Sequence, residues 1–185
     1  MDWKTFSAPA ILGESPSGEW FGEDWRYRYT LWRRWNWSDR GDRGLVAFIG
    51  VNPSTADAID PDPTVTRCVN FAKSWGYDGM VMLNLFAWRD KDPDGMKAAV
   101  DPIGPCNDGI LLMVTERVGG VVCCWGNNGL HAGRSRAVLD LLRHRELKCF
   151  KLTGEGEPWH PLYLAADSRA CSWLRKPLLS ESSAP

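Results

Sequence analysis

Leu45-Val46-Ala47-Phe48-Ile49-Gly50-Val51, followed at once by Asn52-Pro53-Ser54-Thr55-Ala56-Asp57, is the stretch that decides the fold. Seven consecutive uncharged residues, mostly apolar and partly β-branched, suit a strand buried on both faces. Both faces are normally covered in a parallel sheet flanked by helices. The run ends where Gly50 and Pro53 bracket an Asn, a combination that forces a sharp, rigid turn. Residues 80–86 (MVMLNLF) and 120–125 (GVVCCW) repeat the apolar pattern, and residues 149–152 do so more weakly. Residues 27–35 (YRYTLWRRW) read as a further strand: alternation sends Arg28 and Thr30 one way and Tyr29 and Leu31 the other, as on an edge strand with a charged solvent face.

The intervals are helical. Asp62-Pro63 offers an N-cap and a proline at the first helical position, and the residues after it set Val65, Cys68, Val69 and Ala72 on one face, with Gly76 to close the helix. Residues 107–118 and 134–147 follow, the second turning Val138, Leu141 and Leu142 inward. This alternation predicts an α/β fold, a three-layer α/β/α sandwich with a central, mostly parallel sheet and right-handed crossovers. The expected organisation is an irregular N-terminal segment over residues 1–25, a single α/β domain over 26–175, and a flexible tail over 176–185.

Composition narrows the function classes. A chain of 185 residues with 44% hydrophobic residues can bury one sizeable core, which excludes general disorder. No apolar run approaches the ~18 residues of a bilayer span, so no membrane partner is expected, and a soluble, cytoplasmic monomer is. Six cysteines without a CxxC pair read as small buried hydrophobes, with neither disulfide, metal nor cofactor expected. With 22 Lys+Arg against 23 Asp+Glu, attachment to nucleic acid through an overall basic excess is excluded. A local patch remains open: Arg26, Arg28, Arg33, Arg34, Arg40 and Arg43 interleave with Trp25, Trp32, Trp35 and Trp37, which suits either stacking with phosphate contact or a protected sheet edge.

In parallel sheets ligands bind beyond the carboxyl ends of the strands. There the sequence places Asn52-Pro53-Ser54, then Asn84-Leu85-Phe86-Ala87-Trp88-Arg89, then Trp125-Gly126-Asn127-Asn128-Gly129, then Glu157-Pro158-Trp159-His160-Pro161-Leu162-Tyr163-Leu164. The Asn52 turn is either a structural corner or a presenter of amides to a ligand. Asn84 lies inside an apolar run, so its amide must pair with backbone or with a ligand edge, and a donor beside an acceptor matches the edge of a nucleobase. Arg89 stands at the mouth of such a site, where it meets either a ligand or the neighbouring Asp90, Asp92 and Asp94.

The series G-x-N-P-S, A-K-x-W-G-x-x-G-x-x-x-L-N, W-G and H-P-L-Y-L, from Gly44 to Leu164, resembles the uracil-DNA glycosylase superfamily. Together with VNPSTAD and PIGPCND, the whole sequence also resembles an uncharacterised bacterial and phage domain family of unknown function. The superfamily resemblance implies a glycosylase-like α/β/α fold and a DNA or nucleotide partner bearing a modified base. It implies that Asn52 positions the attacking water beside Pro53, that Asn84 reads the base edge and that His160 stabilises the departing base anion. Gly126 would close the strand end, Ser54 would face a phosphate, and Leu162 or Leu164 would fill the space of the flipped base. Phe86 and Trp88 are the candidates for the stacking aromatic, or else belong to the core. Asn52 cannot accept a proton as Asp would, and Asp57, Asp60 or Asp62 stands near enough in sequence to substitute. Two functions follow as expectations: hydrolysis of the N-glycosidic bond of a damaged or modified base, or a catalytically weak module that binds such a base or nucleotide.

Overall fold

The structure, a computed structural model, describes Leu12 and residues 15–22, 25–54 and 62–173. Its strands are β1 (Ser17–Phe21), β2 (Arg28–Arg34), β3 (Leu45–Gly50), β4 (Gly79–Asn84), β5 (Gly120–Cys123), β6 (Lys148–Cys149) and β7 (Cys171–Ser172). They form one seven-stranded sheet in the order β1-β2-β4-β3-β5-β6-β7. The apolar run from Leu45 to Gly50 is its middle: β3 lies parallel to β4, with Gly50 opposite Asn84, and parallel to β5, with Ile49 opposite Cys123. β5 and β6 continue the parallel set, while β1 and β2 on one side and β7 on the other run antiparallel.

The α-helices are α1 (Pro63–Ser74), α2 (Pro93–Lys97), α3 (Asn107–Arg117) and α4 (Arg134–Leu141). Successive side chains in β3, β4 and β5 point to opposite faces, and each face has its own core. Val46, Phe48, Met80, Met82 and Val122 pack with Val65, Cys68, Phe71 and Ala72 of α1. Ala47, Ile49, Val81, Leu83 and Val121 pack with residues of α3 and α4 on the other side. Helices thus cover both faces, each large buried side chain contributing about 1.5–3 kcal/mol. α1 starts where its capping signals place it: the Asp62 side chain accepts from the Thr64 amide at 2.7 Å, and Pro63 occupies the first turn.

The connections explain where a ligand can enter. The chain leaves β3 through α1 toward β4, on one side, and leaves β5 through α4 toward β6, on the other. Where two neighbouring parallel strands send their connections in opposite directions, a crevice opens beyond their carboxyl ends.

Three expectations need correction. Residues 17–21, expected to be irregular, form β1 and pair along β2. That added strand removes β2 from the edge, so Arg28 and Thr30, expected on a solvent face, are buried together with Tyr29 and Leu31. The helix expected over residues 134–147 ends at Leu141, because the chain turns through Leu142 to bring Lys148 beside Val122. The tail expected over residues 176–185 lies outside the described residues. No helix among the described residues is long and apolar enough to cross a membrane.

Candidate functional site

A cleft of about 1080 Å³ opens at the carboxyl ends of β3, β4 and β5. Residues 50–54 enter it after β3, Asn84 from the last position of β4, residues 125–128 after β5, and His160, Leu162 and Tyr163 from the segment beyond β6. The start of α1 forms another wall through residues 62–65.

Asn84 is the informative group. Its residue is 4% exposed, its backbone carbonyl accepts from Asn107 at 3.1 Å, and its side-chain amide has no hydrogen bond among the described residues. The polar atoms of that amide are not among the solvent-inaccessible ones that lack a partner, so the amide faces the open cleft, where it is available to a ligand. Gly50 makes room for it: a Cβ at that position would lie 3.0 Å from Asn84 Oδ1 and 2.6 Å from the terminal methyl of Met82.

Asn52 is held differently. Its Nδ2 donates to the carbonyl of Asp90 at 2.9 Å and to that of Pro53 at 3.3 Å. The donor end of the amide is therefore tied to backbone, leaving Oδ1 as the atom that can accept from a water or a ligand. Pro53 in turn accepts from the Asp90 amide at 3.0 Å, which anchors the turn to the segment after β4. Ser54 Oγ donates to Asp62 Oδ2 at 2.8 Å, joining the end of this turn to the N-cap of α1.

His160 sits across the cleft, partly buried, its ring centroid 5.9 Å from that of Tyr163. Burial of the imidazole holds its pKa below the usual histidine value, and the negative charge of Asp62 opposes that shift. It is therefore neutral at neutral pH and can offer one N–H to an anion. The Trp125 indole is fixed by Glu157, a buried carboxylate that accepts from Trp125 Nε1 and from Ser135 Oγ. This ties the hairpin carrying His160 to the turn after β5.

The cleft thus brings together Asn52, Pro53, Ser54, Asn84, Gly126, His160 and Leu162. Leu162 and Tyr163 are 46% and 74% exposed, so both stand at the rim. Phe86, Leu164 and Arg89 do not line it. Phe86 is wholly buried in the core beneath α3 and α4, and Leu164 packs against the α1 core while its carbonyl accepts from Arg67. Arg89 donates to the Trp25 carbonyl at 3.2 Å and lies over the Phe21 ring at 4.9 Å. Asp57 and Asp60 lie outside the described residues.

Two further residues line the cleft: Arg28, read from the sequence as part of a basic patch or of a sheet edge, and Tyr163, to which the sequence assigned no role. Arg28 is 3% exposed, faces the cleft and pairs with Glu19 at 3.4 Å; burial lowers its pKa and the Glu19 charge resists. The signal for it is strand direction, because an antiparallel strand brings its first residue to the carboxyl end of its parallel neighbours. Among the described residues no group of three or more His, Cys, Asp or Glu is placed to hold a metal ion.

No curated protein and no solved structure matches the chain. The family model described as "Protein of unknown function (DUF1643)" matches residues 28–162, a span that starts at the buried arginine of the cleft and ends at the leucine on its rim. The chain belongs to this DUF1643 family.

Proposed function

We propose that the cleft receives a nucleobase flipped out of DNA and hydrolyses its N-glycosidic bond, on a fold akin to that of the uracil-DNA glycosylases its motifs resemble. The observation that carries this reading is the amide of Asn84, which lies on the cleft wall, open to the cleft and without a hydrogen bond among the described residues. An amide donor and acceptor side by side complement a base edge. The cleft volume is at the upper end of that of small-molecule sites and accommodates a base with its sugar.

In this reading Asn52 Oδ1 orients a water toward C1′ of the sugar. As the bond to the base breaks, the electron pair stays on the base, and the neutral His160 imidazole donates a hydrogen bond to the developing anion. The water oxygen bonds to C1′, one of its protons leaves to an acceptor, and the base takes up a proton. Leu162, exposed at the rim, supplies the wedge that keeps the base out of the stack.

A second reading is favoured by one observation: Asn52 is an amide already committed to the Asp90 carbonyl, and it cannot take a proton. The protein would then bind a modified base or nucleotide without turnover. Duplex and single-stranded oligonucleotides carrying deoxyuridine, deoxyinosine, deoxyxanthosine or 5-hydroxymethyl-deoxyuridine separate the two readings. Base release that leaves an abasic site supports hydrolysis; saturable, Asn84-dependent binding without release supports the module. Neither outcome in any substrate sinks both.

A further inference from the structure

We infer that Asp62, acting through Ser54, is the proton acceptor that Asn52 cannot be. The inference rests on the hydrolytic reading of the cleft and assigns a group to the step that this reading leaves open.

Three features support it. First, Ser54 Oγ donates to Asp62 Oδ2 at 2.8 Å, and both residues line the cleft. A hydroxyl that spends its proton on a carboxylate turns its lone pairs elsewhere, and Ser54 then becomes an acceptor for a proton arriving from the cleft. Second, Asn52 and Ser54 flank the same proline at the carboxyl end of β3, and both line the cleft that would hold the attacking water. Third, the Asp62 carboxylate is placed by two fixed donors, since its Oδ1 also accepts from the Thr64 amide at 2.7 Å. A helix N-cap held in this way combines anchorage with a negative charge close to His160, whose titration it influences. The other titratable groups that line the cleft are Arg28, Asp90, Lys91 and Tyr163. Asp90 is the remaining carboxylate among them, and its Oδ1 accepts from the Asp92 amide at 3.0 Å.

The step balances. The water oxygen attacks C1′ as the C1′–N bond breaks and its electrons go to the base. A water proton passes to Ser54 Oγ while the serine's own proton moves to Asp62 Oδ2. Asp62 later returns that proton to solvent, and the base anion is protonated.

Asp62→Asn is a clean test because Asn caps helices as well as Asp does, so the helix start is kept while the proton acceptor is lost. Base release by the wild type and the variant is compared on the oligonucleotide panel above, across pH, with thermal unfolding as a check on folding. The expected result is a loss of about 10²-fold in single-turnover rate, in the range of general-base contributions. The rate–pH curve changes shape on its acid side and the unfolding temperature is nearly unchanged. Ser54→Ala produces a loss of similar size, and the double variant is no slower than the slower single, as expected of residues acting as one unit. If Asp62→Asn releases base at the wild-type rate, or is slower with an unaltered pH profile, the relay is wrong while hydrolysis stands. If the wild type binds free uracil in an Asn84-dependent manner and releases no base, hydrolysis and the relay both fall.

Discussion

The two ends of β4 carry buried polar side chains that live by opposite rules. Just before the strand, Asp78 is 2% exposed and accepts from Asn36 at 2.8 Å, from Arg40 at 2.7 Å and from Ser38. Those hydrogen bonds, the one from Ser38 foremost, hold its pKa down at about 2. At the last residue of the strand, Asn84 is buried almost as completely and its amide has no hydrogen bond among the described residues. The same sheet therefore supports a saturated polar group at its amino end and an unsaturated one at its carboxyl end. Saturation identifies a brace; the open amide is the group on which the proposed base-binding role rests.

The contrast is sharpest in variants that remove each group. Asn84→Leu should weaken nucleobase binding about 10²-fold or more, since a site built around a polar contact discriminates strongly by it. Its unfolding free energy should stay within about 1 kcal/mol of the wild type, because the amide makes no hydrogen bond among the described residues that the substitution would remove. Calorimetric titration with free bases and urea unfolding check both parts, and a large loss of stability would erase the distinction between the two ends. Asp78→Ala should do the reverse. It strands the donors of Asn36, Ser38 and Arg40 and should lower stability by about 2 kcal/mol with base affinity unaltered.

The smallest expected effects are in pH dependence. The folded pKa of Asp78, about 2, lies below its ordinary value of 3.8. Its stabilising contribution is complete above that ordinary value and is lost as pH falls toward about 2. The folded pKa of His160 is also depressed, from 6.5, so protonation is disfavoured in the folded state and stability declines once pH drops below that value. Urea unfolding across pH should show two separate acid-side declines. Asp78→Asn removes the lower one and His160→Gln the upper one, and a single unaffected decline in both variants would refute the assignment.

What was legible in the sequence is what local chemistry determines. The buried strands announce themselves because a doubly covered strand needs an unbroken apolar run, and α1 because Asp62 and Pro63 are start signals that act within one turn. Asn52, Pro53, Ser54 and Gly126 of the cleft were legible for the same reason, since each follows closely on a strand end, whereas His160 and Leu162 lie further along, beyond β6. What was hidden depends on partners distant in sequence. β1 is five residues, SGEWF, with no strong pattern of its own, and it exists through pairing with β2. Its presence is what buries Arg28, so a charge that looked solvent-facing joined the cleft. Phe86 and Arg89 follow the same strand end as Asn84, but the chain turns them to the core and toward Trp25. Sequence adjacency gives the neighbourhood of a side chain, and the turn after the strand decides its direction.

Gly44 has a bearing on tolerance to substitution as well as on packing. A Cβ there would lie 2.1 Å from Asp78 Oδ2, so any other residue at position 44 displaces the carboxylate that braces the sheet. At the other end the fit is looser, a Cβ at Gly50 lying 3.0 Å from Asn84 Oδ1. One end of β4 is closed to substitution by its own interlocking, while the other is expected to tolerate a change of its terminal side chain. A substitution at Asn84 is thus expected to alter the cleft and leave the fold in place.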